Sequence, residues 1–172
     1  MEKNKYRRIK RENGISEACA MHKCYQSDHV ASLIEAFTHK EFTYLVTKYY
    51  REGDLMSYME SRKICRLPES EVRHIVRQVA TAIKDCHDLN IVHRDIKHLN
   101  ILITIVEGQP VVKLADFGMA ALLAKGEMIS KLAGTIGFMA PEVVAEGPSD
   151  FKVDIWSLGV VTYALFSAQV PF

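Results

Sequence analysis

Neither sign of charge is in excess in this 172-residue chain: 22 Lys plus Arg stand against 21 Asp plus Glu, a formal net charge of +1. That balance argues for neither a nucleic-acid nor a membrane partner. Long apolar runs are lacking as well. The run from Ile155 to Ala168 contains Ser157 and Thr162 and falls short of the roughly 20 residues a bilayer span requires, so it is expected to be a buried core helix. Cysteine is sparse, and Cys19, Cys24, Cys65 and Cys86 follow neither a disulfide-framework nor a zinc-site spacing. The first residues are charged where a leader would be apolar, which points to a reducing, intracellular compartment, the cytoplasm. Cys19, His22 and Cys24 lack a second ligand pair, so cysteines packed on a helix are favoured over a metal site. The nine glycines contain no Gly-x-Gly-x-x-Gly, which excludes a glycine loop for cradling phosphates within these residues. What the chain does have is an apolar fraction of 48%, enough for a folded core.

Along the sequence, Lys3, Lys5, Arg7, Arg8, Lys10 and Arg11 read as a solvated helix face in preference to a nucleic-acid contact. After Asn13-Gly14, Ser16 is a candidate N-cap, and Glu17, Met21 and Cys24 share one helical face. The β-rich runs 33–37 and 42–47 predict a hairpin through His39-Lys40-Glu41. Beyond Gly53 the period turns helical. Leu55, Tyr58 and Met59 make a short amphipathic turn, and Pro68 opens a long helix as a first-turn proline. Val72, Ile75, Val76, Val79 and Ile83 form its buried stripe, and Asn90 stops it. Short strands follow at 91–92, 101–104 and 111–114, with Glu107-Gly108-Gln109-Pro110 as the turn between the last two. No internal repeat or low-complexity tract is present.

Three motifs fall on the loops between these strands and beyond them. They are His93-Arg94-Asp95-Ile96-Lys97-His98-Leu99-Asn100, Asp116-Phe117-Gly118 and Ala140-Pro141-Glu142. Phosphoryl transfer from a nucleotide needs little covalent chemistry from a protein. It needs one carboxylate to orient the attacking hydroxyl, oxygen ligands for magnesium, and cations against phosphate charge. Asp95 fits the first role; Asn100 and Asp116 fit the second. A His-Arg-Asp triplet alone would be weak evidence, and a loop carboxylate in an ion pair is its bland alternative. In combination, order and spacing, the motifs resemble the eukaryotic protein-kinase family.

That resemblance implies an α+β, protein-kinase-like bilobal fold in truncated form. Residues 1–50 would be a partial N-lobe with C-helix, two strands and hinge, and residues 51–172 a partial C-lobe. It implies ATP and Mg²⁺ as cofactors, Asp95 as catalytic base, Lys97 against the transferred phosphate, and Asn100 and Asp116 as metal ligands. Thr47 would be the gatekeeper behind the adenine, Lys48-Tyr49-Tyr50 the hinge, Asp54 a ribose contact and Leu102 the floor of the adenine pocket. Glu17 would be the C-helix carboxylate, although its distance to Ser27-Asp28-His29-Val30 is one residue longer than the family pattern. His93 and Phe117 would belong to an apolar spine with Met21 and Leu33, so His93 is not assigned as a base. Lys97 and Gly134-Thr135 favour serine or threonine as acceptor, which makes the partner a protein with a Ser or Thr hydroxyl; no oligomeric state follows. Asp154, with Trp156 and Gly159, would brace the His-Arg-Asp backbone, the alternative being an ordinary helix N-cap. Arg94 would pair with a phosphorylated activation segment, where the usual acceptor position holds Lys131; either the neighbouring Ser130 is the phosphosite or Lys131 makes phosphorylation unnecessary.

Two departures weigh on activity. With the glycine loop, the family's strand lysine is also missing: Thr81-Ala82-Ile83-Lys84 mimics that motif inside the long helix, and Lys10 stands only seven residues before Glu17. The lysine is therefore expected upstream of Met1, and the remaining C-lobe helices beyond Phe172. A second reading follows, a truncated and catalytically inactive binding or regulatory module. The intact Asp95, Lys97, Asn100 and Asp116 argue against it.

Overall fold

β-branched and aromatic side chains recur through 33–48, and this stretch folds into a hairpin of β2 (Leu33–His39) and β3 (Phe42–Lys48). A computed structural model describes the backbone of residues 4–172 and the side chains of residues 16–172. The hairpin turn is Lys40-Glu41, with Lys40 in the left-handed region at φ 55. Phe37 and Tyr44 stand opposite each other and stack at 5.1 Å, a cross-strand pair of the kind that fixes register.

β1 (Asn4–Lys10) adds to the open side of β3, giving an antiparallel sheet in the order β1-β3-β2. The basic opening is thus a strand where a helix face was expected. The unpaired N–H and C=O groups along β3 offer a template that outweighs the helical preference of Lys and Arg. Lys3 lies outside the described residues, and so do the side chains of the other basic residues of that segment. α1 (Arg11–Lys23) follows at once and packs on all three strands. Ser16 therefore lies inside the helix and is not its N-cap. The expected face holds: Glu17, Met21 and Cys24 are all buried, and Cys24 still donates its N–H to Ala20 O at 3.3 Å.

The helical half begins with α2 (Leu55–Ser61), where Asp54 is the N-cap and accepts the Ser57 N–H at 2.9 Å. α3 (Glu69–Asp88) starts one residue after Pro68, which sits at the N-cap position, and Glu69 and Glu71 in its first turn complement the helix dipole. Val72, Ile75, Val79 and Ile83 are buried, and Val76 is partly buried against the same core. The helix ends as Asn90 adopts φ 61, a left-handed conformation that asparagine tolerates better than most residues.

α5 (Lys152–Ser167) packs against α3 with Leu158, Val161 and Leu165 in the shared core, while Val153 is buried with Val92 and Val143 in a second cluster. Its burial is one-sided. Ile155, Tyr163 and Phe166 are exposed, so the expectation of a buried core helix holds for one face, the one α3 and its neighbours cover. No helix among the described residues is long and apolar enough to cross a membrane.

Short strands carry the motif loops. β4 (Ile91–Val92) pairs with β7 (Ala121–Leu122), and β5 (Ile101–Val106) pairs with β6 (Gln109–Leu114). The expected four-residue turn is only Glu107-Gly108, both at positive φ (50 and 77), as a two-residue hairpin connection demands. Gln109 and Pro110 instead extend β6, and the Pro110 carbonyl accepts the Gln78 amide from α3 at 3.0 Å. Gln78 also accepts the Val112 N–H at 3.0 Å. The sheet of β1–β3 is tied to this part by Ala31 N–H to Leu114 O and Leu114 N–H to His29 O, each 2.8 Å. The 4-residue helix α4 (Pro141–Val144) completes the elements.

Replacing Asn90 by alanine is expected to destabilise the fold by about 1 kcal/mol, while glycine at the same position stays within a few tenths of wild type. Urea unfolding monitored by circular dichroism measures both; equal stability of the alanine variant would deny Asn90 its part in ending α3.

Candidate active site

Between β4 and β5 the chain reverses through His93–Asn100, and Arg94 takes φ 67 there. A left-handed conformation at a residue with a Cβ costs roughly 1–2 kcal/mol. Asp154, in the first turn of α5 and fully buried, offsets it. Its Oδ2 accepts the His93 N–H at 2.9 Å and its Oδ1 accepts the Arg94 N–H at 2.7 Å, while His87 Nε2 lies 2.8 Å from Oδ2. Phe151 occupies the N-cap position of α5, so the capping alternative for Asp154 is ruled out.

His93 is a packing residue. Its Nε2 lies 3.1 Å from Ala115 O, its Nδ1 is 3.3 Å from the Asp95 N–H, and its ring meets Phe117 edge-on at 4.8 Å. The Asp95 contact makes Nδ1 an acceptor, which assigns the remaining proton to Nε2. Burial lowers the pKa of His93 against the pull of Asp154, Ala115, Asp95 and Asp116, so the ring is neutral and holds the Asp95 backbone.

Asp95 then points into a closed set of hydrogen bonds. Its Oδ2 accepts from Lys97 Nζ at 2.8 Å and from Asn100 Nδ2 at 3.0 Å, and its Oδ1 accepts from Thr135 Oγ at 2.6 Å. Lys97 Nζ also donates to Thr135 at 2.7 Å, and Asn100 Nδ2 to the Asp95 carbonyl at 2.8 Å. Burial alone would raise the Asp95 pKa. The hydrogen bonds from Lys97 and Thr135, the Lys97 charge and the Asn100 amide outweigh burial and hold the carboxyl below its ordinary value. Thr135 reaches this position because Gly134 runs against the loop. At φ 123 a Cβ there would lie 2.7 Å from Arg94 O, which no side chain tolerates.

Asn100 and Asp116 lead from this cluster into a cavity of about 340 Å³. Glu17 and Met21 of α1, Ala31, Leu45 and Thr47, and Leu102 and Ala115 form its walls, with Leu99 at the rim. The structure thus brings together Glu17, Thr47, Leu102, Asn100 and Asp116. It does not bring Lys48, Tyr50 or Asp54 to the cavity wall. Tyr50 turns its ring into the core, where its hydroxyl accepts the Ser32 N–H at 3.1 Å. Asp54 caps α2, though its backbone bridges Leu102. Ala31, Leu45, Ala115 and Leu99 carried no sequence signal as lining residues, because small and aliphatic side chains look alike in a core and in a pocket wall.

Asp116 adopts φ 64, a second left-handed residue at the site, and caps the following turn by accepting Gly118 N–H at 3.3 Å. Arg94 Nε donates to Met119 O at 2.7 Å and so ties the two loops. Ser130 and Lys131 are exposed, and Lys131 borders a small gap beside Arg94 and Ser149. A second cavity, about 410 Å³, lies among Met56, Met59, Ile64, Cys65 and Ala164; it contains none of the Asp95 cluster.

The donor set fits a magnesium–nucleotide pair. No group of three or more His, Cys, Asp or Glu side chains among the described residues would hold a metal alone. Asn100 and Asp116 supply two oxygen donors on one wall, and magnesium completes its shell with phosphate and water oxygens. Met21, Ala31, Leu45 and Leu102 present an apolar slot of the size of small-molecule sites.

Two substitutions probe this geometry. Asp154→Ala leaves two loop N–H groups without their acceptor and is expected to destabilise the protein by about 3 kcal/mol in urea unfolding; a loss within experimental error would remove Asp154 as the brace. Lys97→Met is expected to raise the pKa of Asp95 towards that of an ordinary carboxyl. Because the folded pKa is depressed, the ionised carboxylate stabilises the fold above the unfolded value near 3.9 and is lost as pH falls through the folded one. In the variant that acid loss starts at higher pH, read by carboxyl carbon NMR titration.

The protein kinase domain family matches residues 1–172, the whole chain. A serine/threonine-protein kinase of Arabidopsis thaliana, PEPKR2, is 40% identical over 143 residues, covering 83% of this chain and 29% of the relative. The Xenopus laevis serine/threonine-protein kinase ULK3 is 36% identical over 144 residues, 84% of this chain and 30% of its own length. A probable serine/threonine-protein kinase of Saccharomyces cerevisiae, HSL1, is 34% identical over 164 residues, 92% of this chain and 10% of its own length. The chain therefore spans a third or less of the curated relatives it matches. A family match along its full length, together with the Asp95 cluster, whose Asn100 lines a cavity with Asp116, makes this chain a member of the protein kinase domain family.

Proposed function

We propose that this chain carries the catalytic centre of a serine/threonine protein kinase, which transfers the γ-phosphoryl group of ATP to Ser or Thr hydroxyls of a protein. The observation that supports it most is Asp95, held by Lys97, Thr135 and Asn100, the last of which lines the cavity. The Thr135 hydroxyl donates to Asp95 Oδ1 at 2.6 Å, the same bond an incoming alcohol has to make. Residues 1–50 are read as part of the small lobe and residues 51–172 as part of the large one.

Bound ATP with Mg²⁺ would supply the phosphoryl group and neutralise its charge. Asp95 orients the acceptor hydroxyl and takes its proton as transfer completes. Lys97 balances the carboxylate and presents its ammonium towards the transferred group. Asn100 and Asp116 would hold the metal, and because the amide nitrogen of Asn100 is engaged with Asp95, its oxygen is the atom left to serve as donor. Thr47 and Leu102, both on the cavity wall, bound the base. Glu17, buried on α1 at the cavity wall, is the carboxylate that positions a phosphate-binding lysine.

In the full-length protein, Asp95→Asn is expected to lower phosphoryl transfer to protein by roughly 100-fold or more while the affinity for Mg·ATP changes by less than about threefold. Radiolabelled transfer followed by phosphoamino-acid analysis gives both rate and acceptor. An unchanged rate removes Asp95 from the chemistry, and phosphotyrosine as the product overturns the acceptor class.

A further inference from the structure

Cys19 and Cys65 are exposed, whereas Cys24 and Cys86 are buried. The buried pair comes from elements 62 residues apart: Cys24 is the first residue beyond α1, and Cys86 lies in the last turn of α3. Their Sγ atoms are 3.6 Å apart, in direct contact within the core. A disulfide brings two sulfurs to about 2.05 Å, so the pair needs an approach of roughly 1.5 Å. Cys24 has the freedom for it, since it stands in a turn closed by Ser27 N–H to Cys24 O at 3.0 Å, next to the exposed Tyr25. The hydrogen bond from Cys86 favours the thiolate on Cys24; the same bond and then burial push the Cys86 thiol up. Cys24 stands in the turn beside exposed Tyr25 and Cys86 inside α3, so Cys24 is taken as the sulfur that meets an oxidant first and Cys86 as the resolving thiol. The phosphoryl-transfer reading uses neither.

We propose that Cys24 and Cys86 are a modification site, oxidised by hydrogen peroxide to a reversible disulfide that locks the C-terminal end of α1 to α3. The Cys24 thiolate attacks one peroxide oxygen, the O–O bond breaks, and the leaving hydroxide takes up a proton to give water and a sulfenic acid on Cys24. The Cys86 sulfur then attacks the Cys24 sulfur, the S–O bond breaks, and the departing hydroxide combines with the Cys86 proton as a second water. The two thiols are oxidised by two electrons and the peroxide is reduced. In a reducing compartment a cellular dithiol reverses the bond, so it is transient. It closes a 62-residue separation in sequence and ties the helix that carries Glu17 to the helical half.

The test uses the folded protein with Cys19 and Cys65 first capped by iodoacetamide. After peroxide, a non-reducing tryptic digest is expected to contain one cross-linked pair of peptides holding Cys24 and Cys86, two hydrogens lighter than their sum and separated by dithiothreitol. The oxidised protein is expected to melt roughly 5–15 °C higher than the reduced one, as closure of a long loop predicts. In Cys86→Ser, dimedone is expected to trap a sulfenic acid on Cys24 in place of the cross-link. Recovery of both thiols as free after denaturation, with circular dichroism unchanged throughout, overturns the proposal. A cross-link that leaves the melting temperature unmoved overturns the locking.

Discussion

One carboxylate sets the geometry on which the rest of this chain depends. Asp154 lies on α5, yet its two oxygens accept the backbone N–H groups of His93 and Arg94, some sixty residues earlier. Backbone N–H groups buried without an acceptor cost as much as a lost hydrogen bond, and charge-assisted bonds to a carboxylate are about twice as strong as neutral ones. Those two bonds balance the left-handed conformation of Arg94. Because the turn at Arg94 is fixed, Asp95 leaves the loop in one direction, towards Thr135 and Asn100. The α3–α5 packing is therefore part of the site, since it decides where Asp154 stands.

The second constraint is electrostatic. Asp95 is nearly buried, and burial taken alone would favour its protonated form. A buried ion pair can cost more in desolvation than it returns in attraction. Here every lone pair in use meets a donor: an ammonium, an amide and a hydroxyl. The result is a carboxylate that stays ionised and oriented. Thr135 is the member that makes this conditional, because it belongs to the segment after the Asp116 turn and not to the His93–Asn100 loop. Gly134 permits that approach by presenting no Cβ to Arg94 O. The loop and the later segment thus share one hydrogen-bonded centre, and displacement of either alters the charge environment of Asp95.

The clustering of the motif residues was readable in advance because polar groups in fixed order have few other uses. Asp95, Lys97, Asn100 and Asp116 fall where the motifs place them, and the long helix ends at Asn90 as its conformation requires. Pairing of residues 4–10 into the sheet was not readable, although the β2–β3 hairpin was. Residues 4–10 have helix-compatible side chains, and their strand state comes from an edge on β3 that no local pattern reveals. The same edge moved the start of α1 upstream of Ser16. Nor was side-chain direction readable just after β3, where Tyr50 could face a ligand or the core, and the acceptance of Ser32 N–H by its hydroxyl decides for the core. The alanines of the cavity wall are silent for the opposite reason: they act by being small.

The two walls of the cavity are held by different forces, and that asymmetry bears on how the site can respond. The wall made by Asn100 and Asp116 belongs to loops fixed by charge-assisted and backbone hydrogen bonds, which are directional and sensitive to pH. The wall made by Glu17 and Met21 belongs to α1, which rests on the sheet and on the Phe117 turn mainly through apolar packing. Apolar contact has no preferred direction, so a helix can slide or rotate on it at modest cost while a carboxylate–amide contact cannot. α1 is accordingly the element by which the cavity can change shape without disturbing Asp95. Cys24 and Cys86 meet at the end of that helix, where a single covalent bond would convert a non-directional contact into a fixed one.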